Sequence, residues 1–96
     1  MLFAAIYRQK RPTEESTKRG LALFTNWQPP FEFKGHWALA DGSGGIAIFE
    51  AADAAVVLEG IVPFVPFFEF EVTPIVDIND AVPVFMKVNA WRDSVS

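Results

Sequence analysis

The stretch that decides the fold is Phe31–Glu50, FEFKGHWALADGSGGIAIFE. Its first part alternates: Phe31, Phe33, Gly35, Trp37 and Leu39 point one way, and Glu32, Lys34, His36 and Ala38 the other, as a strand requires. Asp41-Gly42-Ser43-Gly44-Gly45 is an unbroken run of turn formers, so the chain reverses there. Ile46–Glu50 returns as a second strand, and the whole reads as a β-hairpin. That reading puts Trp37 under a helix and His36 on the opposite side.

Working outward toward the N-terminus, Pro29-Pro30 ends whatever precedes the hairpin. Before it, Thr13 can cap a helix, and Glu14 and Glu15 suit the positive end of the helix dipole. This helix is expected to run to about Trp27, with Thr17, Gly20, Leu21, Phe24 and Trp27 near one face. Leu2–Tyr7, short and apolar, reads as a buried strand. Toward the C-terminus, Asp53 can cap a second helix whose face is Ala54, Val57, Leu58 and Ile61, stopped by Pro63 and Pro66. Phe67–Val76 alternates again, with Phe68, Phe70 and Val72 on one side and Glu69, Glu71 and Thr73 on the other. Pro74 inside it assigns this strand to a sheet edge. A last helix, capped by Asn79 or Asp80, carries Ala81, Val84, Phe85, Val88 and Trp91 on one face.

The order strand, helix, strand, strand, helix, strand is that of an α+β ferredoxin-like βαββαβ sandwich. It predicts one domain over residues 1–96, an antiparallel sheet of order 4-1-3-2, and an added C-terminal helix. Both main helices then cover one sheet face. The inner strands are apolar on both sides, as in Leu2, Ala4 and Ile6 alternating with Phe3, Ala5 and Tyr7. The second face therefore needs cover, from a second subunit in a homodimer or from the last helix.

Composition narrows the function classes. Hydrophobic residues are 51% and charged residues 21% of the 96, which excludes disorder. Eight basic residues against twelve acidic ones give a net charge of −4, so neither nucleic acid nor an anionic membrane is expected as a partner. There is no cysteine and one histidine, which removes thiolate chemistry and multi-histidine metal sites within one chain. No metal and no cofactor are implied. The basic residues Arg8, Lys10 and Arg11 follow the apolar N-terminal stretch instead of preceding it, unlike a secretory signal. Ala51–Phe70 is interrupted by charge and proline, unlike a membrane span. A soluble, cytoplasmic protein is the expectation.

Gly35-His36-Trp37, Asp41-Gly42-Ser43-Gly44-Gly45, Asp53 and Phe70-Glu71-Val72-Thr73-Pro74 together resemble a family of short bacterial proteins, the domain of unknown function, family 3303. The resemblance covers roughly residues 1–76. It implies membership of the dimeric α/β-barrel group of ferredoxin-like proteins, which also holds small monooxygenases and stress-response proteins, and it supplies no mechanism. Members often carry a His just after the Trp, where this chain has Ala38, so no role passes to His36 from that position.

The candidate chemistry is sparse. His36 alone has an ordinary pKa near neutrality; it is a candidate base or anion ligand, or else a strand histidine paired with a carboxylate. Trp37, Trp27, Tyr7 and Asn26 are candidates to line a pocket between sheet and helices, although buried aromatics are more often core. Asp41–Gly45 lies between two strands and lacks a following Lys-Ser/Thr, so it reads as a turn and not a phosphate loop. Glu69 and Glu71 share a strand face, as Lys34 and His36 do in the unbroken alternation. Across a two-fold dimer these four are expected to pair, raising the His36 pKa. No catalytic constellation is legible. The sequence favours a dimeric ligand-binding or assembly domain. The alternative is a small cofactor-free monooxygenase or isomerase, which a pocket above ~300 Å³ holding His36 or Asn26 would favour.

Overall fold

The computed structural model describes residues 1–95. Four strands, β1 (Leu2–Gln9), β2 (Glu32–Ala38), β3 (Gly44–Glu50) and β4 (Phe68–Pro74), alternate with helices α1 (Glu14–Thr25) and α2 (Ala54–Ile61), and α3 (Ile78–Ser94) follows. The sheet is antiparallel in the order β2-β3-β1-β4, which is 4-1-3-2 read from the other edge. This is the expected α+β, ferredoxin-like arrangement, with Pro74 at the end of an edge strand.

Local sequence explains the element boundaries. Thr13 caps α1: its hydroxyl accepts from the Ser16 amide at 3.0 Å, and the Ser16 hydroxyl accepts from the Thr13 amide at 2.9 Å. Two orphan amides are thereby satisfied reciprocally. Asp53 does the same work singly for α2, accepting from the Val56 amide at 3.0 Å. The hairpin turns at Gly42, whose φ of +76° is open to glycine without the Cβ clash that other residues meet.

One sheet face carries the core. Phe3, Ala5, Ala47, Phe49, Ala51 and Val57 form a single buried cluster. Phe49 is its centre at 1% exposure, with Phe31 stacked on it at 4.2 Å and Phe3 at 5.7 Å between ring centroids. Ile61 and Val56 of α2 pack against this cluster.

The structure corrects the sequence reading of the helices in four places. Helix α1 ends at Thr25, not near Trp27. In α2 the buried residues are Val57 and Gly60, while Leu58 is 63% exposed, so the inner stripe is rotated away from Leu58. Helix α3 is capped two or three residues earlier than expected, by Asp77, whose carboxylate accepts from the Asn79 amide at 2.8 Å. The fourth correction is that α3 covers nothing. None of its residues is buried; Val84, Phe85 and Trp91 stand 56%, 57% and 65% exposed, and the molecule extends 60 × 27 × 19 Å because the helix projects from the body. Leu2, Ala4, Ile6, Ile46 and Ile48 therefore remain on a sheet face that no element of the chain covers. No helix among the described residues is long and apolar enough to cross a membrane.

The exposures give opposite expectations for two apolar truncations. Phe49→Ala should cost about 3–5 kcal/mol in urea unfolding, from lost burial and the cavity left behind. Leu58→Ala should stay within about 0.5 kcal/mol of the parent.

Candidate functional site

The site begins with one extra residue in β2. Phe33 pairs with Phe49, but the next partner pair is Gly35 with Ile48, so Lys34 is left without a partner across the ladder. Such a bulge shifts the alternation by one. Beyond it, His36 lies opposite Ala47 on the helix side, and Trp37 opposite Ile46 on the open side. The simple alternation had these two reversed. Trp37 is 59% exposed, with its indole over the Gly35 position, where any Cβ would collide with the ring. The sequence signal that marks the irregularity is Gly35 itself, since a glycine inside a strand often accompanies a bulge.

On the helix side, His36 meets Tyr7 of β1. The Tyr7 hydroxyl and His36 Nε2 are 2.5 Å apart. Phe33 stacks on the imidazole at 4.9 Å with 4° between planes, and Phe24 of α1 approaches edge-on at 5.8 Å. Tyr7 is held in turn by Phe68 and Phe70 of β4, at 5.2 and 5.7 Å. Its ring lies above Gly45, where a side chain would strike the phenol. Glycine at this position is therefore what lets Tyr7 reach across β3 to β2.

Behind this pair lies a cavity of about 450 Å³ between the sheet and the helices. Small residues create it: Ala5 and Ala47 on the sheet, Gly20 on α1 and Gly60 on α2. Aromatic rings wall it, including Phe24, Trp27, Phe31, Phe64, Phe68 and Phe70. Trp27 packs against Phe64 at 5.0 Å and against Phe31 and Phe33 at 5.8 and 5.9 Å. Helix α1 stands off the sheet: Leu21 and Phe24 border the cavity yet remain 63% and 44% exposed. All five residues of the expected α1 face, Thr17, Gly20, Leu21, Phe24 and Trp27, line the space.

Of the residues singled out in the sequence, Tyr7, Trp27 and His36 border the cavity with their rings, whereas Trp37 touches its rim only as the strand neighbour of His36, its indole lying over Gly35 on the other face. Asn26 does not; its amide donates to the Ala22 carbonyl at 2.8 Å and finishes α1. The polar set is divided. His36 faces the helices, whereas Glu69 and Glu71 lie across from Arg8 and Ile6 on the open face. Lys34 reaches Glu32 of its own strand at 3.3 Å. Missed in the sequence were the aromatic walls Phe31, Phe33 and Phe64 and the pairing of Tyr7 with His36.

Residues 1–89 match a protein family described as "Domain of unknown function (DUF3303)". The chain belongs to this family. A search of curated proteins returns no match. The family description carries no chemistry, so the site's own physics has to supply it.

No charged residue lines the cavity among the described residues, and no carboxylate neighbour acts on His36. Partial burial lowers the His36 pKa from its ordinary value, and the Tyr7 pKa is raised for the same reason. Within one chain the direction is opposite to the rise expected from carboxylates of a second subunit. At neutral pH the pair is a neutral imidazole and a neutral phenol, and the simplest assignment has the Tyr7 O–H donating to Nε2. A histidine pKa depressed by folding favours the native state above the unfolded value near 6.5. That stability is lost as the pH falls from there through the folded pKa. Imidazole NMR shifts should therefore titrate below pH 6.5. The unfolding free energy should decline between about pH 7 and pH 5 more steeply in the parent than in His36→Gln.

Proposed function

We propose that this domain binds a small, flat, largely apolar molecule in the cavity behind Tyr7 and His36. The observation that carries the reading is the combination of a space of about 450 Å³ with aromatic walls and few polar groups, the hydrogen-bonded Tyr7–His36 pair with Gln9 and Thr17 at the border. Ligand sites have this composition: apolar surface supplies the affinity, and a few convergent polar groups fix orientation. A ring system stacks well on Phe and Trp faces, and one ligand oxygen would meet the Tyr7–His36 pair. The cavity exceeds the ~300 Å³ that separates a pocket from a filled core, so it also supports the alternative of a small cofactor-free monooxygenase or isomerase over assembly alone.

A homodimer through the open sheet face belongs to the same reading. Ile6, Ile46, Ile48 and Trp37 form an apolar patch there, and α3 leaves it uncovered. Joining two such faces buries apolar area on the scale of stable interfaces, roughly 1,500 Å² or more. In this arrangement the cavities stay on the outer, helix-covered sides. A cytoplasmic location suits a chain without cysteine, whose fold needs no oxidising compartment.

Two measurements test these points. 2-Naphthol, as a flat probe, should shift the NMR signals of His36 and the Trp27 indole with a Kd on the order of 10–100 µM. Gly20→Leu, whose Cβ meets only ordinary contacts with Phe67 and Phe68 at 3.8 Å, fills the space and should weaken binding at least tenfold. Equal binding by both proteins would put the ligand elsewhere. Sedimentation at micromolar concentration should give about twice the chain mass of 10.7 kDa, and a monomer would remove the dimer from the reading.

A further inference from the structure

We propose that Tyr7 and His36 form an acid–base pair that enolises a cyclic ketone held in the aromatic cavity. The inference rests on the pocket reading above and gives the site a reaction and a substrate class.

The argument is one of placement. A carbonyl oxygen and the hydrogen on its α-carbon are neighbours in a molecule, so enolisation needs a donor and an acceptor side by side. The Tyr7 hydroxyl and His36 Nε2 are such a couple, 2.5 Å apart, and both border the cavity. Each is fixed by its surroundings: the imidazole by Phe33 and Phe24, the phenol by Phe68 and Phe70. A base must reach its proton before its strength matters, and these rings leave little freedom to lose. An entering carbonyl oxygen takes the Tyr7 hydrogen bond and frees the Nε2 lone pair.

The step balances without a co-reactant. The α-C–H bond breaks and its proton goes to Nε2. The electron pair forms the C=C bond, and the carbonyl π pair moves onto oxygen, where the Tyr7 O–H stabilises it. The imidazolium then returns the proton to the same carbon or, where the ketone is conjugated and a dienolate forms, to its γ-carbon. The environment favours this chemistry over simple ion binding. β1 presents Tyr7 to the imidazole, β3 presents Ala47 and α1 presents Phe24; among the described cavity residues Tyr7 is the sole other titratable group. A fixed donor in so apolar a site stabilises developing oxyanion charge more than it would in water.

The test uses 2-tetralone, a bicyclic ketone with exchangeable C1 hydrogens, in D2O. NMR reports binding through shifts at His36 and Trp27, and chemistry through loss of the C1 proton signal. The parent should exchange these protons at least 100-fold faster than His36→Gln, the ordinary scale of general base catalysis. Tyr7→Phe should lose tenfold or more while still binding. The parent rate should rise from pH 5 and level off above a midpoint below 6.5, following the neutral imidazole. Binding with the same exchange rate in all three proteins, or a parent rate with no such midpoint, would overturn the acid–base pair and leave the pocket standing. No shift at any cavity residue would overturn both.

Discussion

Everything at the site depends on the unpaired residue between Phe33 and Gly35. Strand side chains alternate strictly, so a single inserted residue moves all that follow it to the other face. Without it, Trp37 would enter the cavity and His36 would lie on the open face with Glu69 and Glu71. With it, a polar ring that can take or give a proton sits against Tyr7, and a large indole lies outside over Gly35. The bulge thus changes both sheet faces at once: it gives the inner face a polar couple and adds the bulkiest residue to the apolar outer face.

The second determinant is the size distribution of the inner residues. Phe3 and Phe49 are buried beneath α2, and Phe31 stacks on Phe49 there at the edge of the cavity. Toward α1 the sheet presents Ala5, Gly45 and Ala47, and the helices present Gly20 and Gly60. Rings from Phe24, Trp27 and Phe64 are too broad to descend between them, and they meet each other across the gap. The outcome is a buried cluster at one end of the sheet and a cavity that opens from it toward α1.

Much of this was legible in the sequence, and the physical reason differs from part to part. Element order, the capping by Thr13 and Asp53, the edge position of the strand holding Pro74 and the α1 stripe from Thr17 to Trp27 follow from local chemistry. Local chemistry acts the same way in a sequence and in a fold. The placement of His36 does not, because a bulge is a property of two strands: it exists only in the register of β2 against β3. Leu58 fails for a related reason. Its spacing fits the helical stripe as well as Gly60 does, but α2 presses Gly60 onto Phe31, and this close approach turns Leu58 outward. The free projection of α3 was hidden altogether, since its apolar residues read the same whether they meet a surface or none. For the candidate site, the residues Tyr7, Trp27 and His36 were visible one by one, and their meeting was not, nor was the exclusion of Trp37 from it.

The projecting α3 also divides the chain thermodynamically. A helix of 17 residues with a proline at position 83 and no buried side chain draws almost nothing from the cooperative core. Most of a helix's stability in a protein comes from tertiary packing of one face, and this helix has no such face. Its amides would open with a free energy near zero while those of β1 and β3 open only with the whole domain. A hydrogen-exchange map of the isolated protomer would accordingly show two regimes meeting between Pro74 and Ile78. The melting of one would be invisible to a probe placed in the other.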